Sequence, residues 1–181
     1  MTTKTRIEIN RVWAMPDKWT FRIQPIAELI TRYVGDGKGW IDPFAGMTSP
    51  AEVTNDIRPE TKATYHLESL EFASRLEDDK YTGILFDPPY SLEQCKRVYE
   101  NVGRKFTMQD GQICGKWTDL KHNLSRKIRI GGIAISFGWN SEGFGINRGF
   151  KLEEILLVAH GSGHNDTIVT VERKIQSNFI L

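Results

Sequence analysis

The apolar positions of the chain change period along its length, and the changes predict its elements. Ile26, Leu29, Ile30, Tyr33 and Val34 recur at helical spacing, with Pro25 suited to the first turn and Gly35 to the stop. GWID then reads as a short strand ending at Asp42, followed by strands over Glu52 to Ile57 and Thr64 to Leu67 and a short helix around Leu70 to Leu76. The unbroken apolar run from Tyr81 to Phe86 is the fourth strand. Leu92, Cys95, Tyr99 and Val102 mark one amphipathic helix and Trp117, Leu120, Leu124 and Ile128 another; the glycine-containing polar stretch between them reads as a mobile loop. The strand IAISFGW follows, then a glycine-rich connection from Asn140 to Gly149. KLEEILLVAHG and TIVTVERKI, joined by the turn-like GSGHND, predict an antiparallel pair at the sheet edge.

Strands alternating with helices imply an α/β fold, a mostly parallel sheet covered on both faces. In such sheets ligands sit beyond the carboxyl ends of the strands, where the strand order reverses. Asp42, Asp56, Glu68 and Asp87 all fall at or just after those ends, more acids than core packing requires.

With 181 residues and no repeat, low-complexity tract or linker, residues 1–181 read as one domain. Hydrophobic residues at 39% and charged ones at 26% are ordinary for a soluble protein. No apolar run reaches membrane-span length and MTTKTRIEIN lacks a signal-peptide core, which points to a cytoplasm. Cys95 and Cys114 show no C-x-x-C spacing and read as reduced thiols; His160 and His164 flank a GSG turn, so no metal site is expected. The net charge of +1 is uninformative, but its distribution is not: Ser91 to Gly131 carries nine Lys or Arg against four acids, leaving the remainder net negative. A basic segment directly after the fourth strand suits a phosphate backbone, or simply the solvated faces of two helices.

That strand ends in Asp87-Pro88-Pro89-Tyr90. Two prolines fix φ and donate no N–H, which holds the preceding acid and carbonyl in place. Asp87 and the carbonyl of Pro88 are then able to accept hydrogen bonds from one amino group while Tyr90 offers a flat face to the ring that bears it. A base amine is a poor nucleophile because its lone pair is conjugated; acceptors that draw its hydrogens out of plane favour the tetrahedral transition state and oppose the positive charge developing on nitrogen. Upstream, Ile41 to Gly46 reads IDPFAG: Asp42 suits a cationic group and Gly46 permits close approach of a ligand.

The order Phe21-x-Ile-x-Pro-Ile26, then Asp42-Pro43-Phe44-Ala-Gly46, then Asp87 to Tyr90 resembles S-adenosylmethionine-dependent amino-methyltransferases, in particular small phage- or prophage-type DNA adenine methyltransferases. The resemblance covers most of the chain and implies a Rossmann-like class I methyltransferase fold. In that family the aspartate form of the second motif goes mainly with adenine N6, the serine form more often with cytosine N4. Position by position, Asp87, Pro88, Pro89 and Tyr90 match the catalytic clamp, and Asp42, Pro43, Phe44 and Gly46 the loop around the methionine part of the cofactor. Asp56 matches the acid that binds the ribose hydroxyls, Glu68 an acid near the cofactor's adenine, and Thr20, Phe21 and Pro25 the element that closes over the methionine end. The resemblance thus implies methylation of DNA in a bacterial or phage-infected cell, with restriction-modification as one setting. After Gly46 the chain departs from the family: MTSPAEV lacks the second glycine and leaves too little room for the usual helix.

No separate target-recognition domain is visible, so specificity is left to loops or to a partner subunit, a second copy of the chain included. The expected DNA contacts are Arg104, Lys105, Lys116 and Arg148 on phosphates and Phe144 as a wedge into the base stack. An RNA amine and a non-catalytic subunit of a larger assembly are the competing readings.

Overall fold

The computed structural model describes residues 6–161 and 163–177, with the side chains of 113–116 left aside. In chain order the elements are β1 (Glu8–Trp13), a 3-10 turn (Thr20–Arg22), α1 (Gln24–Val34), β2 (Trp40–Asp42), β3 (Val53–Thr54), α2 (Ser69–Arg75) and β4 (Tyr81–Phe86). Then come α3 (Leu92–Asn101), α4 (Met108–Lys116), α5 (Thr118–Lys127), β5 (Ile128–Gly138), a 3-10 turn (Ile146–Arg148), β6 (Phe150–Ala159) and β7 (Thr167–Lys174). They form a seven-stranded sheet in the order β1-β6-β7-β5-β4-β2-β3, parallel throughout except for β7, which runs against both β5 and β6.

Both faces of the central strands are buried, as continuous apolar runs require. On one face α1 sets Ile26, Leu29 and Ile30 against Leu85, Ile135, Val158 and Val169. On the other, Phe72 and Ala73 of α2 and Leu120 and Leu124 of α5 close over Ile41, Ile84, Phe86 and Ala134. Gly83 lets β2 and β4 approach, since a Cβ there would meet the Trp40 ring at 2.6 Å. Polar groups also tie α1 to the sheet: Arg32 and Tyr33 both donate to the buried Glu154 of β6 at 2.7 Å.

The structure corrects several expectations. The stretch expected as a mobile loop contains α4, its start marked by Thr107, whose backbone N–H and hydroxyl both donate to Asp110. The second strand contracts to Val53–Thr54, and the third to a bridge between Asn55 and Tyr65, where a few backbone bonds are supplemented by the Asn55 side chain donating to the carbonyls of Pro43 and Leu67. The C-terminal pair is antiparallel as expected but not at the edge; β7 lies inside the sheet and β1, absent from the expected strands, pairs parallel to β6 outside it. No helix intervenes between Gly46 and β3, in keeping with the short MTSPAEV segment.

Candidate active site

β2, β4 and β5 run parallel, so the ends of β2 and β4 share one edge of the sheet, and a cavity of about 320 Å3 opens there. Thr20, Phe21, Pro43, Phe44, Gly46, Asp56, Glu68 and the whole Asp87–Tyr90 stretch line it. Segments far apart in sequence are thereby brought together. Asp42 and Pro25 are not among the lining residues. Pro25 occupies the first turn of α1. Asp42 is buried under the loop it supports, accepting hydrogen bonds from the Phe44 amide at 2.9 Å and the Ser49 hydroxyl at 2.6 Å. Burial of that carboxyl in low dielectric pushes its pKa up to about 7.

At the end of β4 the Tyr90 hydroxyl donates to Asp87, and the Thr20 side chain bonds to both. Burial raises the Asp87 pKa to about 6, against the lowering effect of those hydrogen bonds. Tyr90 is fixed at its backbone as well: its amide donates to Gln94 Oε1 at 2.7 Å, while Ser91 caps α3 by accepting from the Gln94 amide. Ser91 and Gln94 thus form a variant of the capping box that immobilises the residue before the helix. The Tyr90 ring lies 5.7 Å from the half-exposed Trp139 at the end of β5.

The acids matched to the cofactor's nucleoside part also face the cavity, and both hold cations. Asp56 takes a bidentate pair from Arg58 at 2.8 and 2.9 Å and also accepts from the Gly46 amide at 2.9 Å. Gly46 has φ 57°, the left-handed region that glycine enters at little cost, and this turns its N–H towards Asp56. Glu68 pairs with Arg104 and accepts from the Tyr99 hydroxyl at 3.0 Å.

Arg104 is exposed but not unpaired: its guanidinium bridges to Glu68 of the cavity lining and lies over the Tyr99 ring at 4.9 Å. Phe144 is fully buried against Phe86 and Phe150 and has no access to a base stack. Its burial follows from Glu172, which accepts from the Phe144 and Gly145 amides and draws the glycine-rich connection onto the sheet. Arg148 precedes the start of β6, which runs parallel to β4 by way of β7 and β5, so it lies at the sheet edge opposite Asp87; its guanidinium donates to the Phe144 carbonyl. Lys105 is exposed. The side chain of Lys116 lies outside the described residues.

Other lining residues were not expected at the site, Lys18, Trp19, Arg58 and Trp117 among them. Arg58 stacks over Trp19 at 5.8 Å, and Trp117, held at φ 48°, packs edge-on to Phe44 at 5.1 Å. Only their proximity in the fold reveals them. Among the described residues no group of three or more His, Cys, Asp or Glu side chains is placed to hold a metal, and no helix is long and apolar enough to cross a membrane.

No protein-family profile matches the chain, and no curated protein matches it in sequence. Solved structures do match in fold. The chain is similar to 1,6-didemethyltoxoflavin-N1-methyltransferase of Burkholderia thailandensis, solved with 1,6-didemethyltoxoflavin and S-adenosylhomocysteine, at a TM-score of 0.56 and 8% identity over 84% of this chain and 78% of that one. It is also similar to TrmN from Thermus thermophilus, at a TM-score of 0.54 and 14% identity over 84% of this chain; the match spans about half (49%) of that protein. The fold is the Rossmann-like α/β fold of these methyltransferases, with an antiparallel strand pair closing a mostly parallel sheet.

Proposed function

We propose that the chain transfers a methyl group from S-adenosylmethionine to the exocyclic N6 amine of adenine in DNA. The observation that carries this reading is the Asp87–Tyr90 stretch, which lines the cavity with its acid held by Thr20 and Tyr90. The fold supports the reaction class, since a neighbour of the same fold is by name an N1-methyltransferase solved with S-adenosylhomocysteine.

The cavity fits such a cofactor in size and in the chemistry of its lining. About 320 Å3 falls at the small end of the roughly 300–1,000 Å3 of ligand pockets. Asp56 and Glu68 would hold the ribose hydroxyls and the adenine side by exchanging their arginine partners for ligand donors. Phe44, Trp117 and Trp19 offer aromatic surface, and Gly46 a backbone free of a Cβ. Bound there, the cofactor supplies an electrophilic methyl group on a sulfonium centre.

The chain's own residues do the rest. Asp87 and the Pro88 carbonyl accept the hydrogens of the amine, which localises its lone pair and opposes the charge growing on nitrogen as the N6–methyl bond forms. The surplus proton passes to Asp87, whose raised pKa of about 6 makes it a better base than an ordinary carboxylate while leaving it ionised at neutral pH. For the amine to reach Asp87, the Tyr90 hydroxyl must give up its bond, which frees the ring to stack on the base. Flipping a base from a duplex costs a few kcal/mol, and an aromatic stack returns about 1–3 kcal/mol of it.

The test offers labelled S-adenosylmethionine with duplex DNA, single-stranded DNA and RNA in parallel, followed by nucleoside identification by mass spectrometry. N6-methyladenine from DNA supports the proposal. Label in RNA alone would move the substrate to RNA, and cofactor binding without transfer to any polymer would reject catalysis in favour of an accessory subunit.

A further inference from the structure

A seven-stranded sheet has two edges, and one of them, β1, is left bare. All six residues of β1 are exposed, and among the described residues only β6 pairs with it, so its outward amides and carbonyls lack strand partners. The strand also carries large apolar side chains: Ile9 is 62% exposed and Trp13 64%, with Ile7 just before them at 42%. These three share one face, and the register sets Ile9 beside Ile155 of β6.

The bare face has a structural cause. α1 packs on the side of β6 that carries Val158, two residues and one full pleat from Leu156. The opposite side, with Ile155 and Leu157, would ordinarily be covered by the helix of the crossover from β5 to β6. Here that connection spans only 139–149, contains a single 3-10 turn, and is drawn inward by Glu172. An open edge with exposed apolar side chains is a template for strand pairing that natural proteins normally block.

We infer that β1 pairs antiparallel with β1 of a second copy of this chain, across a two-fold axis at Asn10. A two-fold perpendicular to the sheet keeps each side chain on its own face, so the possible registers centre on single residues. Centring on Arg11 sets two arginines opposite each other. Centring on Asn10 sets Ile7 opposite Trp13 of the second copy twice over, places Ile9 diagonal to that same tryptophan, and puts no like charges face to face. Aromatic and β-branched cross-strand pairs are the stabilising kind. Because the strands reverse across the axis, the two cavities open at opposite ends of the joined sheet, and each serves its own substrate.

The inference does not depend on the function proposed above, and its test measures mass and cross-linking. Light scattering after size exclusion should give twice the chain mass at micromolar concentration. Asn10→Cys should form an intermolecular disulfide on mild oxidation, since opposed antiparallel residues lie roughly 4.5–5.5 Å apart between Cα atoms, within disulfide reach. Val12→Cys should not, whereas a mixture of Val12→Cys and Glu8→Cys should. Ile9→Lys, a change at an exposed side chain that sets a lysine against Arg11 of the second copy, should halve the mass while leaving the circular dichroism melt in place. A single-chain mass at every concentration overturns the inference. So does a dimer that survives Ile9→Lys and leaves Asn10→Cys without a cross-link.

Discussion

Asp42 and Asp87 stand at the ends of neighbouring parallel strands, each followed by proline and an aromatic residue within three positions, and each carries a raised pKa from burial. Their surroundings differ. Asp42 is sealed beneath its own loop, with its oxygens taken by the Phe44 amide and the Ser49 hydroxyl, and it does not line the cavity. Among the described residues Asp87 is held by hydroxyls, those of Tyr90 and Thr20, and it opens onto the cavity. An amide bond within a tight turn is fixed by the backbone, whereas a tyrosine hydroxyl leaves by rotation of a side chain. The contrast supports a structural role for Asp42 and the chemical role proposed for Asp87.

The largest effect that would break this contrast is on turnover. Asp87→Ala should lower methyl transfer by about 10²–10³, the scale for removing one preorganised group at a charge-developing site, with the melting temperature little changed. Asp42→Ala should do the reverse. Its unpaired Phe44 amide and Ser49 hydroxyl cost about 1–3 kcal/mol, or roughly 2–4 °C of melting temperature per kcal/mol at this size, and the folded fraction should retain activity per site. Thermal melts beside initial rates separate the two. Equal losses of rate with equal stability would dissolve the distinction.

Tyr90 sharpens it further. Tyr90→Ala removes the stack and should raise KM for the nucleic acid by roughly 5- to 150-fold, the equivalent of about 1–3 kcal/mol. Tyr90→Phe keeps the ring, so KM should hold. Because the lost hydroxyl bond lowered the Asp87 pKa, the acid limb of the rate profile should move upward. In the wild type that limb should fall near pH 6, with kcat/KM dropping about tenfold per pH unit below it as Asp87 gains its proton.

The smallest effect concerns stability against pH. A carboxyl whose folded pKa is raised contributes stability that is full below its unfolded value and is lost as pH rises through the folded one. Asp42 and Asp87 should thus make the stability fall as pH rises from about 4 to about 7. Asp42→Asn should flatten that slope more than Asp87→Asn, because the Asp42 pKa is the higher of the two. Denaturant melts across that range measure it.

Much of this site was legible in the sequence because the motifs are local: Asp87 to Tyr90 follow an apolar strand, and Phe44 and Gly46 follow another. What stayed hidden depends on contacts through space. Arg58 lies in no motif and matters only because it reaches Asp56. Phe144, an aromatic among glycines and polar residues, resembles an exposed wedge, yet Glu172, 28 residues later, pulls it into the core. Arg104 seemed a free cation in a basic stretch, but α3 and α4 bring it to Glu68. β1 was missed for a different reason: all six of its residues are exposed, so it shows no alternation of buried and exposed positions.

The measurement that tests the central claim most directly is the yield of N6-methyladenine in duplex DNA from wild type, Asp42→Ala and Asp87→Ala under identical loading with S-adenosylmethionine. Product from the first two and none above background from the third is the predicted result. Undiminished product from Asp87→Ala, or none from a wild type that binds the cofactor, would contradict it.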